Sequence, residues 1–216
     1  MIKLPDDISS EEAAGLLAKG LAAWALLKRV HPVSPGETVV VQGASGGVGS
    51  SGQVGEIHRR QGHCEGRLGK QDQYCQKVGT DHVLHIAEPR LAEPICALTA
   101  GVGADVVYDL VGRQTLDSSI EALCAGGVLV HAGNASGAVT ADTQRLAARS
   151  IRYQQPATPQ YVTPQNQDVA ASELFERYGE GALGPLTLTR YRLEEAAEAH
   201  HAIIQRKHSG SILLML

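Results

Sequence analysis

A cluster of four glycines directly behind a short apolar segment has the clearest chemical meaning in this sequence. Residues 39–41 are valines, and residues 43–49 read Gly-Ala-Ser-Gly-Gly-Val-Gly. The valines are typical of a strand buried on both faces, and glycines let backbone N–H groups approach a ligand closely. A helix that begins near Gly47 would aim its free N–H groups and its dipole at one point, the geometry that holds a pyrophosphate. The pattern predicts a dinucleotide-binding loop, and the alternative is a strand–turn–helix corner without a ligand.

Length, composition and charge narrow the class of protein. The chain has 216 residues, of which 43% are apolar, so a substantial core is expected. The formal net charge is −4 with both signs intermixed, which argues against nucleic acid or an acidic membrane surface as a partner. There is no signal-peptide core at the start and no apolar run long enough to span a bilayer, so we expect a cytoplasmic protein.

The four cysteines, Cys64, Cys75, Cys96 and Cys124, are widely spaced and form no Cys-x-x-Cys pair. Structural zinc sites normally use closely spaced pairs of ligands. We therefore expect free thiols in a reducing compartment and no bound metal.

Apolar periodicity divides most of the chain into alternating helices and strands. A helix over residues 10–30 begins with the capping-box pattern of Ser9 and Glu12. We further predict helices at 71–78, 90–100, 115–124, 169–178 and 193–206, strands at 82–86, 105–111, 127–132, 184–189 and 211–216, and a loop at 153–168. Strands and helices at this spacing indicate an α/β protein with a parallel sheet and right-handed crossovers.

Residues 50–68 interrupt this pattern, because Val54 and Ile57 are almost the only apolar side chains and four glycines occur among them. A helix of an α/β layer needs an apolar face, and an interior strand needs an apolar run. Read one base later, permitted codons for residues 52–64 can give Ala-Lys-Leu-Ala-Lys-Phe-Ile-Gly-Gly-Lys-Val-Ile-Val, which is a helix, a turn and a strand. We hypothesise a frame-shifted segment, with a damaged second strand and a mobile or poorly packed stretch.

Other stretches carry a family pattern together with the glycine loop. Residues 104–112 read Ala-Asp-Val-Val-Tyr-Asp-Leu-Val-Gly, residues 126–137 read Gly-Gly-Val-Leu-Val-His-Ala-Gly-Asn-Ala-Ser-Gly, and residues 197–200 read Ala-Glu-Ala-His. With these, the chain resembles the quinone oxidoreductase (zeta-crystallin-like) branch of the medium-chain dehydrogenases/reductases. The resemblance implies a Rossmann-type doubly wound parallel sheet with a C-terminal helix–strand extension.

The resemblance also implies an enzyme that transfers hydride from NADPH to a quinone or an enone, without zinc. In that family the loop positions hold the pyrophosphate; here they are Ala44, Ser45, Gly46, Gly47, Val48 and Gly49. The strand end at His131, Gly133 and Asn134 would lie beside the nicotinamide. Lys70 and Arg206 are the nearest matches to the basic residues that favour the 2′-phosphate, and Arg67 is a possible substitute.

The sequence departs from the family in several places. The family has a whole N-terminal catalytic domain before the segment that matches residues 1–30. Residues 85–87 are His-Ile-Ala where the family has Asn-Tyr-Arg, so a tyrosine that stacks on the cofactor is absent. Leu110 replaces a serine, and residues 154–155 are Gln-Gln in place of Thr-Arg. These differences predict a truncated form with very weak or absent quinone reduction.

We divide the chain into a first helix and connection (1–36), a dinucleotide-binding domain (37–150), and a loop with C-terminal helices and strand that complete the domain (151–216). In the family the first helix and the last strand pack near or against the N-terminal domain. We therefore expect them to expose an apolar patch that favours self-association into a homo-oligomer.

Single polar residues give less specific signals. Glu65 is at about the right distance in sequence from the glycine loop to be an acid that binds the ribose hydroxyls. The commoner role for such a residue is an ordinary solvent-exposed surface charge. Tyr108 is expected in the core with one hydroxyl partner, and Asp109 as a helix cap rather than an acid catalyst. His131 fits pocket lining and a structural role equally well. The histidines at 200, 201 and 208 are expected to be exposed.

Two functions follow from these observations. The intact glycine loop supports an NADPH-dependent quinone oxidoreductase. The absent domain and residues 50–68 support an inactive remnant that only binds a nucleotide or merely folds. If a nucleotide binds, we expect a preference for NADPH over NADH. Three basic residues, Lys70, Arg67 and Arg206, are candidates to bind the 2′-phosphate, whereas Glu65 is the single candidate for a ribose-binding acid.

Overall fold

A single parallel sheet forms the centre of the protein. The computed structural model describes residues 2–44, 62–66, 82–85, 92–183, 186–205 and 210–216. The sheet has six strands: β1 (Val39–Gln42), β2 (Gly62–Gly66), β3 (His82–His85), β4 (Ala104–Asp109), β5 (Leu123–His131) and β6 (Arg152–Gln154). Their order is β3-β2-β1-β4-β5-β6, and every neighbouring pair is parallel. This is the Rossmann-type doubly wound order, so the predicted fold class is confirmed.

Helices follow the strands and enclose the sheet. They are α1 (Ser10–Ala25), continued by a π-helical turn (Leu26–Val30), α2 (Ala92–Leu98), α3 (Leu116–Ala122), α4 (Thr143–Ala148), α5 (Thr158–Tyr161), α6 (Gln167–Gly179) and α7 (Ala196–Ile204), the last preceded by a 3₁₀ turn (Leu193–Glu195). The predicted capping box begins α1: the Ser9 hydroxyl accepts from the Glu12 N–H at 3.2 Å, and the Glu12 carboxylate accepts from the Ser9 N–H at 2.9 Å. No helix among these residues is long and apolar enough to cross a membrane.

Both faces of the sheet are covered, which explains the apolar strands. Alternate residues of β1 point to opposite faces, and all four are buried. Val39 and Val41 pack with the π-helical turn, whereas Val40 packs with α2 and α3. A strand in this position needs apolar side chains on both sides, as the three valines provide.

The C-terminal part packs on the first helix. Leu16, Leu21 and Trp24 of α1 are buried with Leu174 and Phe175 of α6. Two further strands, β7 (Leu188–Arg192) and β8 (Ser211–Met215), form a separate parallel pair beside α1. The predicted apolar exposure of residues 10–30 is therefore wrong, because α6 covers this surface. The last strand does expose Leu214, at 42%.

Four sequence-based boundaries need correction. Residues 152–154, predicted in part as the start of a loop, form β6 because their backbone pairs with β5, and the same predicted loop contains α5 (Thr158–Tyr161). The strand predicted at 184–189 is β7, at residues 188–192. It carries two arginines because the two-stranded β7–β8 sheet leaves part of each strand in solvent. The helix predicted to reach residue 124 ends at Ala122, and β5 begins at Leu123. Its early start reflects pairing of Leu123 with Ala104 of β4.

The fourth correction concerns the second strand of the sheet. Residues 62–66 form β2, paired in parallel with β1 on one side and β3 on the other. Backbone hydrogen bonds to two neighbours therefore suffice for a strand, although the sequence Gly-His-Cys-Glu-Gly has no apolar run. The rest of 50–68, and the helix predicted at 71–78, lie outside the described residues.

Candidate functional site

The carboxyl ends of β1, β4 and β5 meet at one edge of the sheet, where the strand order reverses. Gly43 follows β1 with φ +79°, and Gly112 follows β4 with φ +92°. Gly133 follows β5, and a β-carbon there would lie 2.1 Å from the carbonyl oxygen of Leu110. Real β-carbons do not come this close, so the loops after β4 and β5 can meet only through glycine.

Asp109, the last residue of β4, is fully buried beneath this edge. Its Oδ1 accepts hydrogen bonds from the N–H groups of Val111 and Gly112, both at 2.9 Å. The hydroxyls of Thr115 and Ser119 donate to the same carboxylate at 2.7 to 2.9 Å. A buried carboxylate with this set of donors is stabilised in place, so Asp109 holds the β4–α3 turn. The predicted helix-capping role is wrong, because the N-cap of α3 is Thr115 and the N–H groups that Asp109 binds precede the helix.

Gln42, the last residue of β1, extends this buried network. Its Nε2 donates to the Ser119 hydroxyl at 2.6 Å, and the Ser119 hydroxyl in turn donates to the Asp109 carboxylate. The ends of β1 and β4 are thus tied through one serine of α3. The Gln42 Oε1 atom is buried and has no hydrogen-bond partner among the described residues.

The loop after β5 is fastened to the loop after β4. The Ser136 N–H and hydroxyl both donate to the Val111 carbonyl, at 2.8 and 2.9 Å. The Arg113 guanidinium donates to the Ala138 carbonyl at 3.1 Å, and the Arg113 N–H donates to the Gly137 carbonyl at 3.2 Å. The two loops therefore form one connected surface.

His131, the last residue of β5, is 1% exposed. Its Nδ1 lies 2.9 Å from the hydroxyl of Tyr153 on β6, and its Nε2 lies 3.0 Å from the Gly133 carbonyl oxygen. Both ring nitrogens are occupied within the fold. Of the two roles open to His131, the described contacts favour the structural one.

A recess of about 30 Å³ lies next to Ala132, the residue between His131 and Gly133. Its other lining residues include Ala25 and Leu26 of the first helix and Tyr161 of α5. This volume is far below that of a small-molecule site, so the recess by itself is not a ligand cavity. The edge of the sheet thus offers an apolar recess directly beside the loop after β5.

Comparison with known proteins agrees with this geometry. A family model described as "Zinc-binding dehydrogenase" matches residues 78–214. The 2-haloacrylate reductase of a Burkholderia species is 32% identical over 225 residues, which cover 100% of this chain and 67% of the relative. Quinone oxidoreductase from Pseudomonas syringae pv. tomato superposes with a TM-score of 0.91 at 30% identity, covering 100% of this chain and 67% of that one. The chain belongs to the quinone oxidoreductase branch of the medium-chain dehydrogenases/reductases.

A further member of the branch was solved with a nucleotide. Escherichia coli quinone oxidoreductase complexed with NADPH has a TM-score of 0.89 and 30% identity, and the match covers 99% of this chain and 67% of that one. The chain therefore spans about two thirds of the length of these relatives. Among the described residues, no three His, Cys, Asp or Glu side chains form a group that could hold a metal ion.

The structure brings together some of the residues predicted to bind the cofactor. Ala44, at the end of β1, is buried, and His131, Gly133 and Asn134 lie together at the end of β5, with the Asn134 side chain exposed. Residues 45–49, Lys70, Arg67 and Arg206 lie outside the described residues. Glu65 is on β2, next to Leu84 of β3 in register.

The remaining single-residue predictions have clear outcomes. The Tyr108 hydroxyl donates to the His31 carbonyl at 2.7 Å, and burial followed by the charge of Glu37 raises its pKa far above the usual range. The predicted core role of Tyr108 is confirmed. His200 and His201 are exposed on α7, as predicted. His208 lies outside the described residues.

Sequence reasoning missed four residues that shape this edge. They are Gln42, Thr115, Ser119 and Tyr153. A polar residue at the end of an all-valine strand, and a Thr and a Ser four positions apart on one helix face, could have indicated the network around Asp109. Tyr153 gave no such signal, because its strand sits at the start of a segment rich in proline and glutamine.

Proposed function

We propose that this chain binds NADPH at the shared edge of β1, β4 and β5, and that it belongs to an enzyme that transfers hydride to a quinone or an enone. The observation that carries the proposal is the glycine-only contact between Gly133 and Leu110, at the point where the strand order reverses. Open α/β sheets bind their ligands at such a point. The NADPH complex of the E. coli relative supports the same cofactor.

The described residues fit a nicotinamide nucleotide. Ala44, Ala132 and Gly133 carry little or no side chain, so the backbone can come close to a flat ring and to phosphates. Asn134 is exposed, and its side chain makes no hydrogen bond to the described part of the chain. We assign the pyrophosphate to residues 44–49, and the nicotinamide to the strand end at 131–134.

The phosphate that distinguishes NADPH from NADH needs a positive charge. We assign this 2′-phosphate to Lys70 and Arg206. We also propose that residues 37–150 form the nucleotide-binding domain and that residues 151–216 complete it. A charge-assisted hydrogen bond stabilises a complex by about 1.5–3 kcal/mol, so NADPH should bind at least about tenfold more tightly than NADH.

The cofactor supplies the hydride when it is bound. The protein's part is to orient the ring at the strand end beside the small recess at Ala132. We name no catalytic acid, because the buried polar groups at this edge, Asp109 and His131, are both engaged in holding loops.

A second candidate function is nucleotide binding without turnover. It is favoured by the departures from the family pattern at residues 85–87, Leu110 and residues 154–155, where cofactor contacts of the family are lost. Poor orientation of a substrate can cost several orders of magnitude in rate. Binding and turnover must therefore be measured separately.

The test is a fluorescence titration of the full chain with NADPH and with NADH, followed by turnover with a simple quinone. Binding with NADPH preferred, together with turnover on the order of 10 per second, would support the oxidoreductase. Binding with no turnover would support the second candidate. The absence of any nucleotide binding would overturn both.

We propose further that the chain acts in the cytoplasm as a homo-oligomer. Leu214 on β8 is 42% exposed, and the adjoining Leu216 is fully exposed. An exposed apolar strand edge favours pairing with a second copy. Light scattering at increasing concentration tests this, and a monodisperse monomer throughout would contradict it.

A further inference from the structure

His131 and Tyr153 join the last two strands of the sheet directly below the loop at Gly133. His131 closes β5, and Tyr153 lies on β6 opposite Leu129, two residues earlier on β5. Because residues two apart share a strand face, both rings lie on the same side of the sheet. Their centroids are 6.2 Å apart. The Tyr153 hydroxyl thereby reaches Nδ1 of His131 at 2.9 Å.

The partners of the two ring nitrogens assign the tautomer. Nε2 of His131 faces the Gly133 carbonyl oxygen at 3.0 Å, and a carbonyl oxygen can only accept. Nε2 therefore carries the proton. In the neutral ring Nδ1 is left as an acceptor, and the Tyr153 hydroxyl donates to it at 2.9 Å, since its other acceptor, Gln155 Oε1, is farther away at 3.4 Å. Burial and then the charge of Asp109 raise the pKa of Tyr153, so its hydroxyl keeps the proton that this bond needs.

The bond from His131 fixes one peptide plane of the loop. The Gly133 carbonyl and the Asn134 N–H belong to the same planar trans peptide, so they point in opposite directions. With the carbonyl turned towards the buried histidine, the Asn134 N–H points away from it. Among the described residues nothing accepts a hydrogen bond from this N–H. Within the described part of the chain it is an unused donor at the strand end that we assign to the nicotinamide.

We propose that His131 and Tyr153 are positioning residues for the nicotinamide half of NADPH. Tyr153 sets the tautomer of His131, and His131 holds the Gly133–Asn134 peptide so that its N–H faces the cofactor. This inference rests on the proposed function, because the ligand at this loop is the one assigned there. The inference adds a role for Tyr153, which lies on the neighbouring strand β6.

Two substitutions of His131 separate its two bonds. An asparagine amide lies near the position of Nδ1, so His131→Asn keeps an acceptor for Tyr153 and loses the bond to Gly133. A glutamine amide reaches the position of Nε2, so His131→Gln keeps a donor to Gly133. Tyr153→Phe removes the hydroxyl alone. Tyr178→Phe is the matched control, because its hydroxyl bonds to Glu12, on α1.

The readout is the affinity of each full-length variant for NADPH and for 2′,5′-ADP, which lacks the nicotinamide half. One hydrogen bond is worth about 0.5–1.5 kcal/mol, so we expect His131→Asn to weaken NADPH by about three- to tenfold. Tyr153→Phe should weaken it by about threefold on the same scale. His131→Gln and Tyr178→Phe should stay close to the unaltered chain, and 2′,5′-ADP should bind every variant equally.

The outcomes distinguish this inference from the proposed function. Equal losses for both ligands, or no loss of NADPH affinity in His131→Asn, would overturn the positioning role alone. Failure of the unaltered chain to bind NADPH would overturn the proposed function and this role with it. Nitrogen NMR of the free protein checks the pair independently of any ligand. It should show a protonated Nε2 in His131, and a protonated Nδ1 with a bare Nε2 would contradict the assignment.

Discussion

The backbone of Gly133 lies directly against the backbone of Leu110. A β-carbon on Gly133 would fall 2.1 Å from the Leu110 carbonyl oxygen and 2.4 Å from its carbonyl carbon. Both obstacles are backbone atoms of the residue that follows β4, so neither can rotate away as a side chain would. The contact joins the loops after β4 and β5, and glycine is the residue that permits it.

Replacement of Gly133 by alanine should therefore separate the two loops. We expect a loss of about 1–3 kcal/mol in the free energy of unfolding, together with weaker NADPH binding. Urea denaturation and a nucleotide titration measure the two effects. Gly179→Ala is the control, because a β-carbon there meets nothing within 4 Å. Equal stability of the two variants would show that the loops can readjust freely.

Asp109→Ala should be among the most damaging single changes in the protein. It leaves two buried N–H groups and two hydroxyls without their acceptor, at a cost of about 1–3 kcal/mol for each group left unpaired. We expect a loss of at least about 3 kcal/mol in urea denaturation. Asp117→Ala, whose carboxylate is 81% exposed and pairs with Arg145, should change stability by less than about 1 kcal/mol. Comparable losses would contradict the structural role of Asp109.

The capping box predicts a pH dependence. Hydrogen bonds from the Ser9 hydroxyl, the Ser9 N–H and the Tyr178 hydroxyl lower the pKa of Glu12 below its ordinary value of 4.5. A carboxyl group with a lowered pKa stabilises the folded state above its ordinary value, and this contribution disappears as the pH falls through the folded-state pKa. The stability advantage of the unaltered chain over Glu12→Gln should thus be full at neutral pH and vanish in acid. A difference that is constant with pH would exclude this origin.

The glycine loop can be tested at a single position. Gly47→Val places a branched side chain between the backbone and the pyrophosphate, so nucleotide binding should be lost while the midpoint of unfolding changes little. Fluorescence titration and thermal unfolding measure the two properties. Unchanged NADPH affinity in this variant would mean that residues 43–49 form only a structural corner.

The frame hypothesis for residues 50–68 is decided at the level of DNA. Read one base later, the codons for residues 52–64 should encode the apolar helix, turn and strand given above. A synthetic gene in that reading should yield a chain that resists unfolding better and binds NADPH more tightly, since an apolar strand would replace Gly-His-Cys-Glu-Gly in β2. Stop codons in the shifted frame, or lower stability of the restored chain, would refute the hypothesis.

The sequence by itself determined the features that depend on local pattern. The three valines of β1 predicted a strand buried on both faces, because such a strand needs apolar side chains in succession. Ser9 and Glu12 predicted where α1 begins, because a capping box is completed within four residues. The order of strands and helices predicted the parallel sheet, since crossover connections follow from the alternation itself.

Only the tertiary structure decided which distant residues meet. β6 was missed because its evidence is the backbone of β5, about twenty residues away, rather than its own composition. The bond between His131 and Tyr153 spans 22 residues, and that between Gln42 and Ser119 spans 77. Hydrogen bonds of this kind depend on which strands are neighbours and which faces they share. The sequence therefore marked the edge of the sheet as the site, and the fold determined the polar contacts that hold it.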